Sequence, residues 1–368
     1  MTDTAPPAPS WPLLPGSTIG ILGGGQLGRM LALAAARLGF DVVILDPEEN
    51  SPAGRVAARQ IVAAYDDRWA LKRLADACDV VTYEFENVPA DTVAELTALG
   101  CVVAPGAKAL AAAQDRVVEK SFLAEIGVPT VAFAAVDDSE TLTAAIAKIG
   151  APSLLKTRRE GYDGKGQAWI QRASEAQASF EKIGRQAAIL EAPADFGREL
   201  SVIAARSRDG EIACYPLSEN HHEGGVLKRT SAPAKVTTAT RDQAETIAIR
   251  ILTALDYVGV IGVELFELAG GKLLVNEFAP RVHNTGHWTQ DGCEVDQFEQ
   301  HIRAVAGWPL GPTQPLAHVE MTNLLGADVE AWRKLAAEPE TRVHLYGKGE
   351  ARPGRKMGHV NRLRGLKD

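Results

Sequence analysis

Two acidic residues offer the most specific chemistry in this chain. The segment VGVIGVELFELAGGKLLVNEFAPRVHN reads as two strands either side of a turn at Ala269–Gly271, a hairpin signal. Pairing about that turn sets Glu264 nearly opposite Glu277. Like charges facing across a ladder repel. A carboxylate pair in an otherwise apolar hairpin therefore asks for a cation, and a hard divalent ion with oxygen ligands suits it best. Magnesium bridging the phosphates of a nucleotide fits this pattern. A different register would instead turn one of the two residues to solvent. Just beyond, NEFAPRVHNTGHWT supplies Arg281, His283 and Asn284, groups able to bind an oxyanion and orient a nucleophile. His283 and His287 have the spacing of a zinc pair, yet there is no HExxH motif and no obvious third ligand, which argues against zinc.

Two glycine-rich loops follow short apolar runs. In GILGGGQLGRM, residues Gly23, Gly25 and Gly28 have the GxGxxG spacing, and Asp46 ends the next strand where a dinucleotide site keeps its ribose-binding acid. The same pattern also describes a strand-to-helix turn that binds nothing. The second loop is LLKTRREGYDGKGQAWI. Lys156 ends a strand, and Gly161, Gly164 and Gly166 punctuate a cationic turn that could fold over a polyphosphate and donate backbone N–H groups. It is not a Walker loop, because no GK[ST] opens a helix there. A polar hairpin with a solvated lysine is the competing reading.

Other candidates are weaker alone. Glu191 and Glu199 stand at strand ends in AAILEAPADFGRELSV, and His221 and His222 precede a glycine pair in an expected loop. The C-terminal YGKGEARPGRKMGH concentrates Lys348, Arg352, Arg355 and Lys356 on a path constrained by glycine and proline, a credible phosphate cradle in an acidic protein.

These groups need a scaffold. In the first third, STIGILG, DVVILD, DVVTYEF and CVVAP read as strands between helices QLGRMLALAAARLG, RWALKRLADAC and ADTVAELTALG, the pattern of a doubly wound parallel sheet. AKALAAAQDRVVEKSFLAEIG reads as one long joining helix. From Pro129 strand follows strand (PTVAFAAV, SLLKT, QAWIQ, AAILEA, ELSVIAARS, EIACYPLS), with helices ETLTAAIAKIG and RDQAETIAIRILTALDYVG, which indicates an α+β unit with antiparallel sheets. AHVEMTNLLG and TRVHLYG are further strands near the end.

With 368 residues the chain has room for two or three domains. Its net charge of −8 gives no electrostatic reason to expect a nucleic-acid partner. The four cysteines are scattered, which suits a reducing cytoplasm better than a disulfide framework. The start lacks the pattern of a signal peptide, its prolines suggest a disordered tail, and no apolar stretch is long enough to span a bilayer.

GGGQLGRM, TYEFENV, EGYDGKGQ, NEFAPRVHNTGHWT and RPGRKMGH together resemble the ATP-grasp superfamily, and within it the N5-carboxyaminoimidazole ribonucleotide synthetase family. The resemblance runs from about Thr18 to the end. After a tail over 1–16 that lies outside it and whose prolines suggest disorder, it implies a doubly wound α/β domain over 17–115, an ATP-grasp domain over 116–310 and a small β-rich domain over 311–368. It further implies a homodimer.

The resemblance also assigns residues. Arg116 and Lys156 would hold the phosphates of ATP under a lid made of Gly161, Tyr162, Asp163, Gly164, Lys165, Gly166 and Gln167. Glu191, Ala192, Pro193, Ala194 and Glu199 would hold adenosine, with His222 nearby and Asn276 beside the nucleotide. Glu264 and Glu277 would carry magnesium. Gln26 in the first glycine loop, with Glu84, Tyr162, Lys348, Arg355 and Lys356, would bind aminoimidazole ribonucleotide, while Arg281, His283 and Asn284 would hold bicarbonate. Bicarbonate would attack the γ-phosphate to give carboxyphosphate, which then carboxylates the ribonucleotide amine, with Asp163, Arg281 and Lys348 as the catalytic candidates. The alternatives are another ATP-grasp ligase, of the formate-dependent glycinamide ribonucleotide transformylase or biotin carboxylase type, an NAD-dependent oxidoreductase, or a nucleotide sensor without turnover.

Overall fold

A computed structural model describes residues 10–159, 161 and 165–365. The chain opens with β1 (Thr18–Leu22), α1 (Gln26–Arg37), β2 (Asp41–Asp46), β3 (Arg59–Val62), α2 (Arg68–Ala75), β4 (Val80–Tyr83) and α3 (Ala90–Ala98). The strands form a parallel sheet in the order β3-β2-β1-β4, and strands buried on both faces account for their near-continuous apolar runs. CVVAP does not form the expected strand. It contributes one parallel bridge, Val81 to Val103.

The joining helix is two helices, α4 (Ala107–Ala113) and α5 (Arg116–Glu125). Asp115 ends the run because its carboxylate accepts from the backbone N–H groups of Val117 and Val118, at 3.0 and 3.3 Å, and so caps a new helix. The break makes Arg116 the first residue of α5.

Next come β5 (Phe133–Val136), α6 (Ser139–Ile149), β6 (Ser153–Thr157), β7 (Gln167–Ile170), α7 (Ala176–Lys182) and β8 (Ala188–Glu191), giving an antiparallel sheet in the order β5-β8-β6-β7. The remainder is β9 (Phe196–Arg206), β10 (Ile212–Cys214), β11 (Ser218–Glu223), β12 (Val226–Ala232), α8 (Thr238–Ala254), β13 (Gly259–Leu268), β14 (Leu273–Ala279), α9 (Thr289–Gly292), α10 (Gln297–Ala306), β15 (His318–Leu325), α11 (Trp332–Ala337), β16 (Thr341–Leu345) and β17 (Lys356–Arg364). These strands build one antiparallel sheet, β14-β13-β9-β11-β12-β15-β17-β16, with β10 beside β9. The C-terminal strands therefore extend the central sheet through β12 and β15, with Thr230 opposite Met321. His221 and His222 lie on β11 and not in a loop; the turn is Gly224–Gly225, both at positive φ.

The first unit docks on the central sheet through α1 and α10, where Leu27, Met30 and Leu31 share a buried cluster with Phe298, Ile302 and Val305. Each such side chain contributes about 1.5–3 kcal/mol of burial. That packing carries the first glycine loop to the mouth of the central sheet. Among the described residues no helix is long and apolar enough to cross a membrane.

Candidate active site

Glu264 on β13 pairs directly with Glu277 on β14. The hairpin turn alone does not produce this register. From the turn upward Glu267 faces Leu273, Phe266 faces Leu274 and Leu265 faces Val275, so an unbroken ladder would set Asn276 against Glu264. A β-bulge at Asn276 adds one residue to β14 and brings Glu277 into that place. Glu264, Asn276 and Glu277 all line a cavity of about 790 Å³. Both carboxylates remain open to it, with side chains 16% and 39% exposed.

The two acids are electrically unequal. Enclosure by the cavity walls, then the charge of Glu277, pushes the Glu264 carboxyl up to about 7. Enclosure acts on Glu277 in the same sense, but the Arg116 guanidinium outweighs it and holds Glu277 at about 2. Arg116 Nη1 donates to Glu277 Oε2 at 2.7 Å, and Nη2 donates to Gly161 O at 2.9 Å. No group of three or more His, Cys, Asp or Glu that could hold a metal is present among the described residues. The pair suits magnesium held partly by nucleotide phosphates, because that ion takes one or two carboxylates and fills its shell with phosphate oxygens and water.

Lys156, at the end of β6, lines the same cavity, and its Nζ lies 2.7 Å from Glu191 Oε2. Burial raises the Glu191 carboxyl, but Lys156 and Lys120 outweigh it and draw it below the usual range. Glu191 is thus spent on two lysines. Neither it nor Ala192, Pro193 and Ala194, the residues expected to hold adenosine, joins the cavity lining. Glu199 and His222 do line it and form an ion pair. Burial lowers the His222 imidazole, and its hydrogen bond to the Glu199 carboxylate reverses this and raises it. Phe266, stacked on Phe196 at 4.4 Å, adds an apolar wall. Of the glycine lid, Gly161, Lys165, Gly166 and Gln167 line the cavity; Tyr162, Asp163 and Gly164 lie outside the described residues.

The same cavity is also lined by Arg281, His283, Asn284, Lys348, Arg352, Arg355 and Lys356. Arg281 is gripped by both carboxylate oxygens of Glu86, with Nη2 to Oε1 at 2.9 Å. Burial and then the Arg281 charge lower His283 to about 3, so its ring is neutral. Its Nδ1 lies 2.8 Å from Thr285 Oγ1, and its Nε2 lies 3.4 Å from Glu264 Oε1. Asn284 and Asn323 exchange amide hydrogen bonds of 3.0 and 2.8 Å. Lys348 Nζ sits 5.8 Å over the Tyr346 ring, and Arg355 Nη1 donates to Glu350 O at 3.0 Å. His287 takes no part as a metal partner of His283; its Nδ1 lies 2.9 Å from Gln297 Nε2 in the core.

Gln26 lines the main cavity and an adjoining one of about 310 Å³, which Glu84 also lines. The first glycine loop behaves differently from its expected role. Glu84 accepts from the N–H groups of both Gly25 and Gly28, and Asp46 accepts from Gly24 at 2.7 Å and from the Tyr65 hydroxyl at 2.7 Å. These amides are therefore occupied by the protein's own carboxylates and are closed to a ligand phosphate. Asp46 is likewise engaged, which removes the dinucleotide reading of this loop. Glycine is required here, since a Cβ at residue 25 would lie 2.5 Å from a Glu84 oxygen.

The sequence reading passed over Glu86, Phe266 and the lysine at 120. Glu86 stands in the quoted TYEFENV, where its spacing two residues after Glu84 was the available signal. Nothing local marks Phe266 or Lys120, whose surroundings come from distant segments.

The chain matches three domain families in order: the ribonucleotide synthetase preATP-grasp domain over residues 17–114, the ATP-grasp domain over 121–298, and the phosphoribosylaminoimidazole carboxylase C-terminal domain over 320–365. It is 53% identical over 354 residues to the N5-carboxyaminoimidazole ribonucleotide synthase of Brucella melitensis, covering 96% of this chain and 98% of that one. A solved ADP complex of an N5-carboxyaminoimidazole ribonucleotide synthetase superposes with a TM-score of 0.92 at 43% identity, covering 96% and 93% of the two chains. The synthase of Aspergillus clavatus, solved with ADP and 5-aminoimidazole ribonucleotide, gives 0.89 at 32%, covering 95% and 94%. The chain belongs to the N5-carboxyaminoimidazole ribonucleotide synthase family of the ATP-grasp superfamily, ATP-dependent ligases of purine biosynthesis.

Proposed function

We infer that the chain performs its family's reaction, the ATP-dependent carboxylation of 5-aminoimidazole ribonucleotide, in the cavity of about 790 Å³. One observation supports placing it there. The Glu264–Glu277 pair with Lys156 and Arg116 faces the same space as Arg281, Lys348, Arg355 and Lys356. One side offers a metal-and-triphosphate seat, the other a cationic seat for a phosphorylated acceptor.

In this reading Lys156 and Arg116 clamp the ATP phosphates, and Glu264 and Glu277 hold magnesium, which would neutralise charge on the transferring phosphoryl group. Bicarbonate sits on Arg281, whose guanidinium is fixed by Glu86 and so points at one place. Neutral His283 leaves the positive charge there to Arg281. Attack of bicarbonate oxygen on the γ-phosphorus breaks the bond to ADP and yields carboxyphosphate. The exocyclic amine of the ribonucleotide then takes the carboxyl group, directly or as released CO₂, and phosphate departs. Lys348 orients the amine, and Asp163 remains a candidate for the proton transfer. Arg355 and Lys356 bind the ribonucleotide phosphate, a role that the occupied amides of Gly25 and Gly28 cannot take. Carboxyphosphate hydrolyses readily, so the glycine segment around Gly161 and Gly166, with Tyr162, serves to exclude water.

ADP release should require both aminoimidazole ribonucleotide and bicarbonate, measured by omitting each in turn. Equal release without the ribonucleotide, or with formate or glycinamide ribonucleotide in place of the natural pair, would overturn the assignment. A cytoplasmic homodimer is the proposed working form; sedimentation should return about twice 39.2 kDa.

A further inference from the structure

β14 ends the nine-stranded sheet, and β13 is the strand that ladders with it. Its outer edge is met by a short loop and by a helix. Val275 N donates to Pro129 O at 2.8 Å. Lys120 on α5 donates from Nζ to Asn276 O at 2.7 Å and approaches Val275 O at 3.4 Å. Its neighbour Glu119 accepts from Phe278 N at 2.7 Å through Oε1. The two contacts on Asn276 and Phe278 bracket Glu277, whose own carboxylate is held by Arg116 from the first turn of the same helix.

Lys120 is fully enclosed, with a side chain only 2% exposed. Burying an ammonium is costly unless its donors are well used. Here they are: besides the β14 carbonyls, Nζ donates to Thr130 Oγ1 at 2.9 Å and lies 3.5 Å from Glu191 Oε1. Glu191 in turn holds Lys156 at 2.7 Å. One buried cation thus touches the bulged residue of the acidic strand and the carboxylate that orients the phosphate lysine. An apolar side chain would fill the same space without that link.

We propose that Glu119 and Lys120 are positioning residues that pin the bulge at Asn276, keeping Glu277 opposite Glu264, and that Lys120 also couples this register to Lys156 through Glu191. The proposal rests on the reading of Glu264 and Glu277 as the metal pair. Neither residue touches the reacting atoms.

The test uses the full chain with Mn²⁺ and ADP as probe, read by electron paramagnetic resonance, together with hydrogen exchange of the peptide covering 273–279. Glu119→Gln keeps an oxygen for the Phe278 N–H and should leave both readouts near the parent values. Glu119→Leu and Lys120→Met should weaken Mn²⁺ binding about tenfold or more and speed exchange in 273–279, with KM for the ribonucleotide unchanged. If Lys120→Met does not fold, the Glu119→Gln and Glu119→Leu pair decides the matter. Folded Glu119→Leu that binds Mn²⁺ and exchanges like the parent overturns the proposal. Failure of the metal reading looks different: Glu277→Gln then binds Mn²⁺–ADP as tightly as the parent chain, and the proposal falls with it.

Discussion

Arg116 Nη1 lies 2.7 Å from Glu277 Oε2, so the residue assigned to clamp phosphate sits on the carboxylate assigned to magnesium. Each can bind its ligand only by sharing or releasing the other. This pairing also supplies the main downward pull on the Glu277 carboxyl. Glu277→Gln should lower kcat for ADP release by about 100-fold or more, the scale of losing one electrostatic partner of the transition state. Steady-state assays over a magnesium series check this. An active mutant that still responds to magnesium would count heavily against the metal assignment.

The basic wall should serve the ribonucleotide and not ATP. Lys348→Ala and Arg355→Ala are each expected to raise KM for aminoimidazole ribonucleotide about tenfold, as for loss of a charge-assisted contact. KM for ATP should move less than about twofold. The opposite split would place the acceptor elsewhere.

Glu84 holds the amides at the start of α1, so its removal should be felt first as stability. Glu84→Ala leaves the Gly25 and Gly28 N–H groups without their acceptor. Loss of a buried partner costs about 1–3 kcal/mol, and the urea midpoint should fall accordingly. A parallel rise in KM for the ribonucleotide, with KM for ATP unchanged, would mark Glu84 as part of the acceptor side. An unchanged urea midpoint would contradict the contact.

His301 predicts an acid dependence. It is fully buried, its Nδ1 accepts from Val260 N at 3.1 Å, and its Nε2 lies 2.8 Å from Thr82 Oγ1, joining β13 to the first sheet. Burial lowers its imidazole from the ordinary 6.5 to about 3. Between those values the unfolded chain binds the proton and the folded chain does not. Stability is therefore lost as pH falls from about 6.5 toward 3, by up to about 1.4 kcal/mol per unit from this residue. His301→Gln should flatten that part of the curve relative to the parent in denaturant titrations. An identical slope in both proteins would exclude His301 as a contributor.

Much of the site was readable from short-range pattern. The turn at Ala269–Gly271 brought Glu264 close to Glu277, and the glycine segment after Lys156 and the basic run at 348–356 were picked out as groups that line the same cavity. Composition and alternation likewise yielded the parallel first sheet and the antiparallel remainder. Such features are local, because strand periodicity, turn residues and helix faces are set within about ten residues.

The sequence by itself determined which groups were available and roughly which faces they shared. Tertiary structure decided the register and the partners. The bulge at Asn276 chose Glu277 over its neighbour, Asp115 split an apparent single helix, β15 joined the central sheet, and Glu84 took the amides that spacing had offered to a ligand. Apart from the Asp115 cap, which is local, these turn on contacts between segments far apart in the chain, such as Glu119 with Phe278 and Arg116 with Glu277. A hydrogen-bonding group takes whichever partner the folded chain brings to it, and that choice is not written in its neighbours.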